Sequence, residues 1–237
     1  TLGTNLDVTH FSDSDYDEIL GTSDRTPTVG IRITSNLHVL NYTLDFSTHP
    51  AYNAATLETT TMRLMGRDYY VLDVTNGTTN KTTFLDSANS AVITEGQTST
   101  VSGKSVGINY ISSTEVRLDV DGAITNSLAE GGTYKLSDGT YVGIKDILYD
   151  SKEAGISKVE ISIGTGKLEV DHGSNVELND ESIEEITGFL SQDSSEKLDK
   201  IVLMWTTDDE EFISPATSLT LPAFSALKFS MGANTFP

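Results

Sequence analysis

Apolar and polar residues alternate with a period of two over most of this chain. Val29-Gly-Ile-Arg-Ile33 and Leu40-Asn-Tyr-Thr-Leu-Asp-Phe46 both show that alternation, the pattern of a half-buried strand with one dry and one wet face. Pro50 closes the second run. Between residues 89 and 171 the pattern predicts seven strands: Ser90–Thr94, Val106–Ile111, Glu115–Val120, Thr133–Leu136, Thr140–Leu148, Lys158–Ile163 and Lys167–Val170. Asp121-Gly122, Asp138-Gly139 and Thr165-Gly166 punctuate them as candidate two-residue turns, since Gly and Asp tolerate the positive φ of tight hairpins. Strands at this spacing argue for a sandwich or barrel rather than a parallel βαβ sheet.

One further hairpin is predicted where Asp68-Tyr-Tyr-Val-Leu-Asp-Val74 reaches Asn76-Gly77 and a second run resumes at Lys81-Thr-Thr-Phe-Leu85. Asn-Gly between two strand-like runs is the signature of a type I′ turn. The same turn carries two N-glycosylation sequons, Asn76-Gly-Thr78 and Asn80-Lys-Thr82, and a third lies at Asn41-Tyr-Thr43. Asn76 and Asn80 share an exposed loop, as a sequon requires, whereas Asn41 needs its side chain on the solvent face of a strand. Leu72-Asp-Val, Leu118-Asp-Val and Leu168-Glu-Val recur, each before a turn; three strands ending in similar turn chemistry account for this without a repeat.

Helical signals are few. Ser12–Leu20 reads as one short turn of helix, and Asp180–Gly188 as another, with Ile183 and Ile186 three apart and Gly188 as terminator. Beyond about residue 174 the composition shifts, and Ile201-Val-Leu-Met-Trp205 reads as a strand buried on both faces. Leu219–Leu221 and Ala226–Met231 are the last strand candidates.

Charge narrows the function classes. The chain of 237 residues holds 35 acidic and 15 basic residues, a formal charge of −20, which repels nucleic acid and anionic lipid and attracts divalent cations. Cysteine is absent and threonine abundant, a composition that suits a prokaryotic exported protein. No apolar run approaches the roughly 20 residues that span a bilayer. The first residue is Thr, so either a leader has been removed or the chain is part of a longer one.

Candidate chemistry is sparse. Gly103-Lys-Ser105-Val-Gly107 matches a nucleophile elbow, but strand-like residues follow where a helix is required, so a glycine-bounded turn is expected. Gly164-Thr-Gly166-Lys167 resembles a phosphate loop, yet Leu168 stands where Ser or Thr would hold the metal. His10, His38, His49 and His172 show no ligand spacing, and Trp205 sits in an apolar run as a core residue. The alternating Asp13, Asp15 and Asp17 can converge on Ca²⁺ if the loop wraps it, at about 2.3–2.6 Å. Against an EF-hand, Glu18 replaces the required Gly, and Asp24 rather than Glu is twelfth. Asp119 with Asp121, and Asp208–Glu211, are weaker cation candidates. With so many acids, no glycosidase pair can be picked out.

Thr26-Pro-Thr-Val-Gly-Ile-Arg-Ile33, Leu40–Phe46, Leu57-Glu-Thr-Thr and Leu64-Met-Gly-Arg-Asp-Tyr-Tyr-Val-Leu-Asp-Val74 together resemble archaeal surface-layer proteins. Leu85–Gly96 and Leu136–Ile147 fit the same pattern, and the resemblance covers about residues 25 to 231. It implies an all-β chain of two β-sandwich-like domains: a central Ig-like domain at 89–173, inserted in a discontinuous outer domain made of 1–88 and 174–237. It implies an extracellular, self-assembling structural subunit of the cell envelope, with no catalytic centre or cofactor. Glycans would sit on Asn41, Asn76 and Asn80, and Ca²⁺ would stabilise the assembly. Its partners would be copies of itself, with neither nucleic acid nor an inserted membrane span. An extracellular filament, or an adhesin or carbohydrate-binding module on the same scaffold, is the alternative; an exported hydrolase with an unrecognised carboxylate pair is a third.

Overall fold

The computed structural model describes residues 7–10, 29–86, 88–152 and 155–232. The first strands are β1 (Asp7–His10), β2 (Val29–Ile33) and β3 (His38–Asp45), followed by a single helical turn α1 (Ala54–Leu57) capped by the Asn53 side chain. Then come β4 (Thr61–Leu64), β5 (Arg67–Thr75), β6 (Lys81–Asp86), β7 (Asn89–Thr94), β8 (Thr98–Val101), β9 (Lys104–Ile111), β10 (Val116–Val120) and β11 (Ala123–Ile124). The remainder is β12 (Thr133–Lys135), β13 (Tyr141–Leu148), β14 (Lys158–Gly164), β15 (Gly166–Asp171), β16 (Ser174–Leu178), β17 (Glu181–Gln192), β18 (Leu198–Thr206), β19 (Glu211–Ile213), β20 (Ser218–Thr220) and β21 (Lys228–Ser230). The protein is all-β.

Strands from both ends of the chain share one antiparallel sheet of eight, in the order β3-β18-β17-β16-β15-β6-β5-β4. Its core face carries Ile201, Leu203 and Trp205 of β18, flanked by Leu40, Tyr42 and Leu44 of β3 and by Ile186, Gly188 and Leu190 of β17. Ile33, Ile213, Leu219, Leu221 and Phe224, from the β1-β2-β19 sheet and the β20-β21 hairpin region, cover that face. The sheet curls until its two edge strands stand a side chain apart: the Tyr42 hydroxyl of β3 donates to the Arg63 carbonyl of β4 at 3.3 Å.

The stretch from β7 to β14 forms two four-stranded sheets, β11-β10-β9-β8 and β12-β13-β14-β7, around a separate core that includes Ile93, Val106, Leu118, Val142, Ile144 and Ile161. This sandwich leaves the large sheet through β6 and returns through β15, which pair with each other (Asp86↔Gly166), just as β7 and β14 do (Asn89↔Ile163). The Thr165 amide donates to the Asp86 carbonyl at 2.9 Å across the crossing. One two-stranded ribbon therefore runs through both units.

Several expectations are corrected. Asp180–Gly188 is not helical; it opens the twelve-residue strand β17. Ile183 lies opposite Val176 while Thr187 lies opposite Asn175, so residues 184 to 186 bulge out of the ladder with β16. That bulge produced the spacing of three that imitates a helix face. Gly188 is no helix terminator: a Cβ there would stand 2.6 Å from the Val170 Cγ1 on the core face. Thr165-Gly166 is the crossing between the two units rather than a hairpin turn, so β15 belongs to the large sheet and the sandwich ends at Gly164 rather than 173. Ile201–Trp205 alternates buried and half-buried residues instead of being buried on both faces. Residues 7 to 10, for which the alternation predicted no strand, form β1 against β2. The helix expected at Ser12–Leu20 lies outside the described residues.

Turn chemistry divides the hairpins. Asp121 and Gly122, with φ of 52° and 88°, join Val120 to Ala123 as a two-residue turn of the primed kind. Asn76-Gly77 does not behave this way: Thr75 pairs with Lys81, leaving a five-residue loop, and neither Asn76 nor Gly77 has a positive φ. The Asn76 side chain instead donates to the Tyr52 carbonyl at 2.9 Å, and that tether competes with the tight turn.

Candidate functional site

The three sequon asparagines occupy different settings. Asn41 lies on β3 opposite Met204, one position out of phase with the core-facing Leu40 and Tyr42, so its side chain is on the solvent face of the large sheet. It is half-buried, with its Oδ1 2.7 Å from the His38 Nε2. Asn76 and Asn80 bracket the loop between β5 and β6. That loop is anchored beneath Asn76 by Tyr52, whose buried hydroxyl donates to the Lys81 carbonyl at 2.8 Å and contacts the Thr82 Oγ1 at 2.9 Å. Burial pushes the Tyr52 phenol up to about 12, so it stays a neutral donor. On the other side of the loop the Asn80 carbonyl accepts the His172 amide at 2.9 Å. A groove of about 410 Å³ results, walled by Asn76, Thr78, Asn80, His172, Gln192 and Glu196.

The cation candidates come apart. Asp13, Asp15 and Asp17 lie outside the described residues. Among the described residues no group of three or more His, Asp or Glu is placed to hold a metal ion. Asp119 and Asp121 serve their own hairpin: the Asp119 Oδ1 accepts the Gly122 amide and the Asp121 Oδ1 the Ser105 amide, both at 2.8 Å. Glu210 pairs with Arg32 at 2.6 Å. Asp208 joins Glu181, Glu184 and Glu185 around an open acidic cleft of about 580 Å³, with Lys135 at its rim. Glu184 and Glu185 point there because they lie in the β17 bulge. Glu185 also accepts the buried Trp205 Nε1 at 2.7 Å, which gives that carboxylate a structural duty. Glu211 nearby has its carboxyl pushed up, first by burial and then by Glu185 and Asp209.

The catalytic look-alikes resolve into strands. Ser105 is the second residue of β9, following a Ser102-Gly103 turn with φ of 50° and 80°. Gly164–Lys167 spans two sheets, with Gly164 closing β14, a bend at Thr165 and Gly166 opening β15. His49 is held between Asp193 (Nδ1, 2.7 Å) and Asp199 (Nε2, 3.2 Å), tying the segment after β3 to the β17–β18 turn. His172 contacts the Phe189 ring edge-on.

The densest chemistry lies where the sandwich folds back over the outer face of β5, β6 and β15, and sequence reasoning missed it. Leu72 packs with Tyr70, Leu85 and Tyr141. A Cβ on Gly143 would stand 2.4 Å from the Leu72 Cδ2, so only glycine lets β13 approach. Lys145 forms a part-buried ion pair with Glu58, which also accepts the Val74 amide at 3.0 Å. Leu72 and Lys145 are both bulge residues, skipped in the ladders between Val71 and Asp73 and between Ile144 and Asp146. Each bulge turns a side chain out of its own sheet toward the other unit. Beside them the Tyr141 hydroxyl donates to Asp180 at 2.8 Å, and Lys167 bridges Asp180 (2.5 Å) and Glu169 (2.6 Å). Lys81 reaches Glu169 at 2.8 Å. Burial opposes the charges on Asp180 and Glu169, but hydrogen bonds, from Lys167 and Tyr141 to Asp180 and from Lys167 and Lys81 to Glu169, outweigh it and hold both carboxyls below their usual range. Nothing in the sequence marks this cluster, because bulges leave no periodic signature.

Compared with known proteins, the chain matches no family model, no curated protein and no solved structure.

Proposed function

We propose that this chain is a structural subunit of a self-assembling extracellular surface layer on the cell envelope, a glycoprotein stabilised by divalent cations such as Ca²⁺. The observation that carries the reading is the joint between the two units. The shared ribbon of β6-β7 and β14-β15, the Leu72–Gly143 contact and the Glu58–Lys145 pair fasten them together. A subunit passes its orientation to the next one only if it does not bend within itself, and strands that continue from one unit to the other resist bending. The charge of −20 supports a role for cations, which screen and bridge carboxylates between neighbours. Asn41 on a solvent-facing strand surface and Asn76 and Asn80 at the ends of one loop support outward-facing glycans.

Light scattering and negative-stain microscopy of the purified chain test this. Sheets or filaments are expected on adding Ca²⁺, with dispersal in chelator; a monodisperse monomer in both conditions refutes it. Intact mass of material from the native host reads the glycans directly. The groove of amides, hydroxyls and one carboxylate beside His172 favours one alternative, an adhesin or carbohydrate-binding module. A stable monomer that binds a glycan array, and loses binding with Gln192→Ala, would establish that instead.

A further inference from the structure

Three Asn or Asp residues stand directly before a glycine: Asn76-Gly77, Asp121-Gly122 and Asp138-Gly139. Such a pair has a chemistry of its own. Glycine has no Cβ to shield its nitrogen or restrict its torsions, so that nitrogen can reach the side-chain carbonyl carbon of the residue before it. The fold treats the three pairs differently. The Gly122 amide donates to the Asp119 Oδ1 at 2.8 Å, and the Gly139 amide to the Leu136 carbonyl at 2.9 Å. Both nitrogens are thereby committed. The Gly77 amide has no hydrogen-bond partner among the described residues. Asn76 and Gly77 are both exposed in the loop between β5 and β6. A Cβ on Gly77 would meet nothing within 4 Å, so a ring has room to close and water has access to it. Asn76 also carries an amide, whose carbon is a better electrophile than that of a carboxylate.

We propose that Asn76 is a site of spontaneous deamidation, a one-way covalent change in the β5–β6 loop. The Gly77 nitrogen gives up its proton to solvent and attacks the Asn76 Cγ. A new C–N bond closes a succinimide ring, and the Cγ–Nδ2 bond breaks to release ammonia. Water then opens the ring at either carbonyl, leaving aspartate or isoaspartate at position 76. The net reaction consumes one water and releases one ammonia. Its consequences are local and specific. The departing Nδ2 is the atom that donates to the Tyr52 carbonyl at 2.9 Å. A carboxylate only accepts, so the product has lost that tether. Isoaspartate also adds a methylene to the main chain of a loop that walls the groove beside His172. The Asn76-Gly-Thr78 sequon is destroyed while Asn80-Lys-Thr82 survives. Ring closure has to break the tether, so the folded chain reacts more slowly than the unfolded one. None of this depends on the assembly reading.

The test incubates the full chain, produced without glycans, at mildly alkaline pH, both folded and in urea. Trypsin places Asn76 and Asn80 in one peptide, residues 68–81, and tandem mass spectrometry separates them. In the folded chain Asn76 is expected to gain the mass difference between NH₂ and OH, with isoaspartate seen by enzymatic methylation. Asn80 should stay intact, and Asp121 and Asp138 should stay free of isoaspartate. Gly77→Ala supplies the missing Cβ where φ is not positive and the space is open. It is expected to keep the melting temperature and lose the conversion. The unfolded chain shows that the assay sees the reaction. A folded chain that leaves Asn76 intact overturns the proposal, whatever the unfolded chain does. Conversion at the wild-type rate in Gly77→Ala, or equal conversion at Asn80, overturns it as well.

Discussion

The two units of this protein solve the same problem in different ways. The sandwich closes its core between two sheets of four strands, built from one continuous stretch of chain. The large unit draws strands from both flanks into a single curled sheet and fills its concave face with Trp205 and the residues of β2, β19 and the β20-β21 region. The sandwich is self-contained, whereas the large unit borrows strands from both flanks and curls until its end strands, β3 and β4, are bridged by the Tyr42–Arg63 hydrogen bond. The contrast shows why the joint matters: the half of the large sheet's outer face at β5, β6 and β15 is covered by the sandwich, while Phe189, Val202 and Met204 on the other half remain half-exposed.

Core truncations in each unit test the contrast most severely. Trp205→Ala in the large sheet is expected to cost about 3–5 kcal/mol, and Ile161→Ala in the sandwich about 2–5 kcal/mol. The lone Trp205 reports only on the large unit. If the joint couples the units, Ile161→Ala lowers the urea midpoint seen by Trp fluorescence as well as by circular dichroism; a fluorescence midpoint that does not move shows that they unfold separately. Lys145→Met is next. It leaves the half-buried Glu58 carboxylate with only the Val74 amide, at a cost of about 1–3 kcal/mol, and adding Glu58→Gln should recover most of it, as thermal unfolding would record.

Acid should loosen the joint before it loosens either core. Asp180 and Glu169 titrate lower in the folded protein than in the unfolded chain. Their contribution is therefore complete above the unfolded values of about 4–4.5 and is lost as pH falls through the folded ones. Melting temperature should drop from pH 6 to pH 3.5, and the drop should be smaller in Lys167→Met, which lacks the bridging ammonium. The smallest effects come from two tyrosines of the joint. Tyr141→Phe removes a hydrogen bond to a carboxylate and should cost about 1–2 kcal/mol. Tyr70→Phe should cost nothing or stabilise slightly, because the buried Tyr70 hydroxyl has no partner among the described residues. Equal losses from the two would argue against the hydrogen-bond account.

Much of the fold was legible because a period of two is a local property. Val116, Leu118 and Val120 announce β10 without help from any other residue, and Asp121-Gly122 announces its turn. Asn76-Gly77 misled because a distant carbonyl, that of Tyr52, captured the Asn76 side chain. β17 misled because its bulge breaks the alternation. The sequons were visible as motifs, but the solvent face that Asn41 occupies follows only from its phase against β18.

By itself, then, the chain's sequence determined an all-β protein, most of its strands, its acidic charge and the positions of its three sequons. Each of these depends on neighbouring residues or on composition alone. Tertiary structure decided which strands share a sheet, that the β6–β15 and β7–β14 pairs keep one register across both units, and that Leu72 and Lys145 turn toward the opposite unit. Those outcomes depend on contacts between residues far apart in the chain, whose free energy is set by close packing and by the pairing of buried charges.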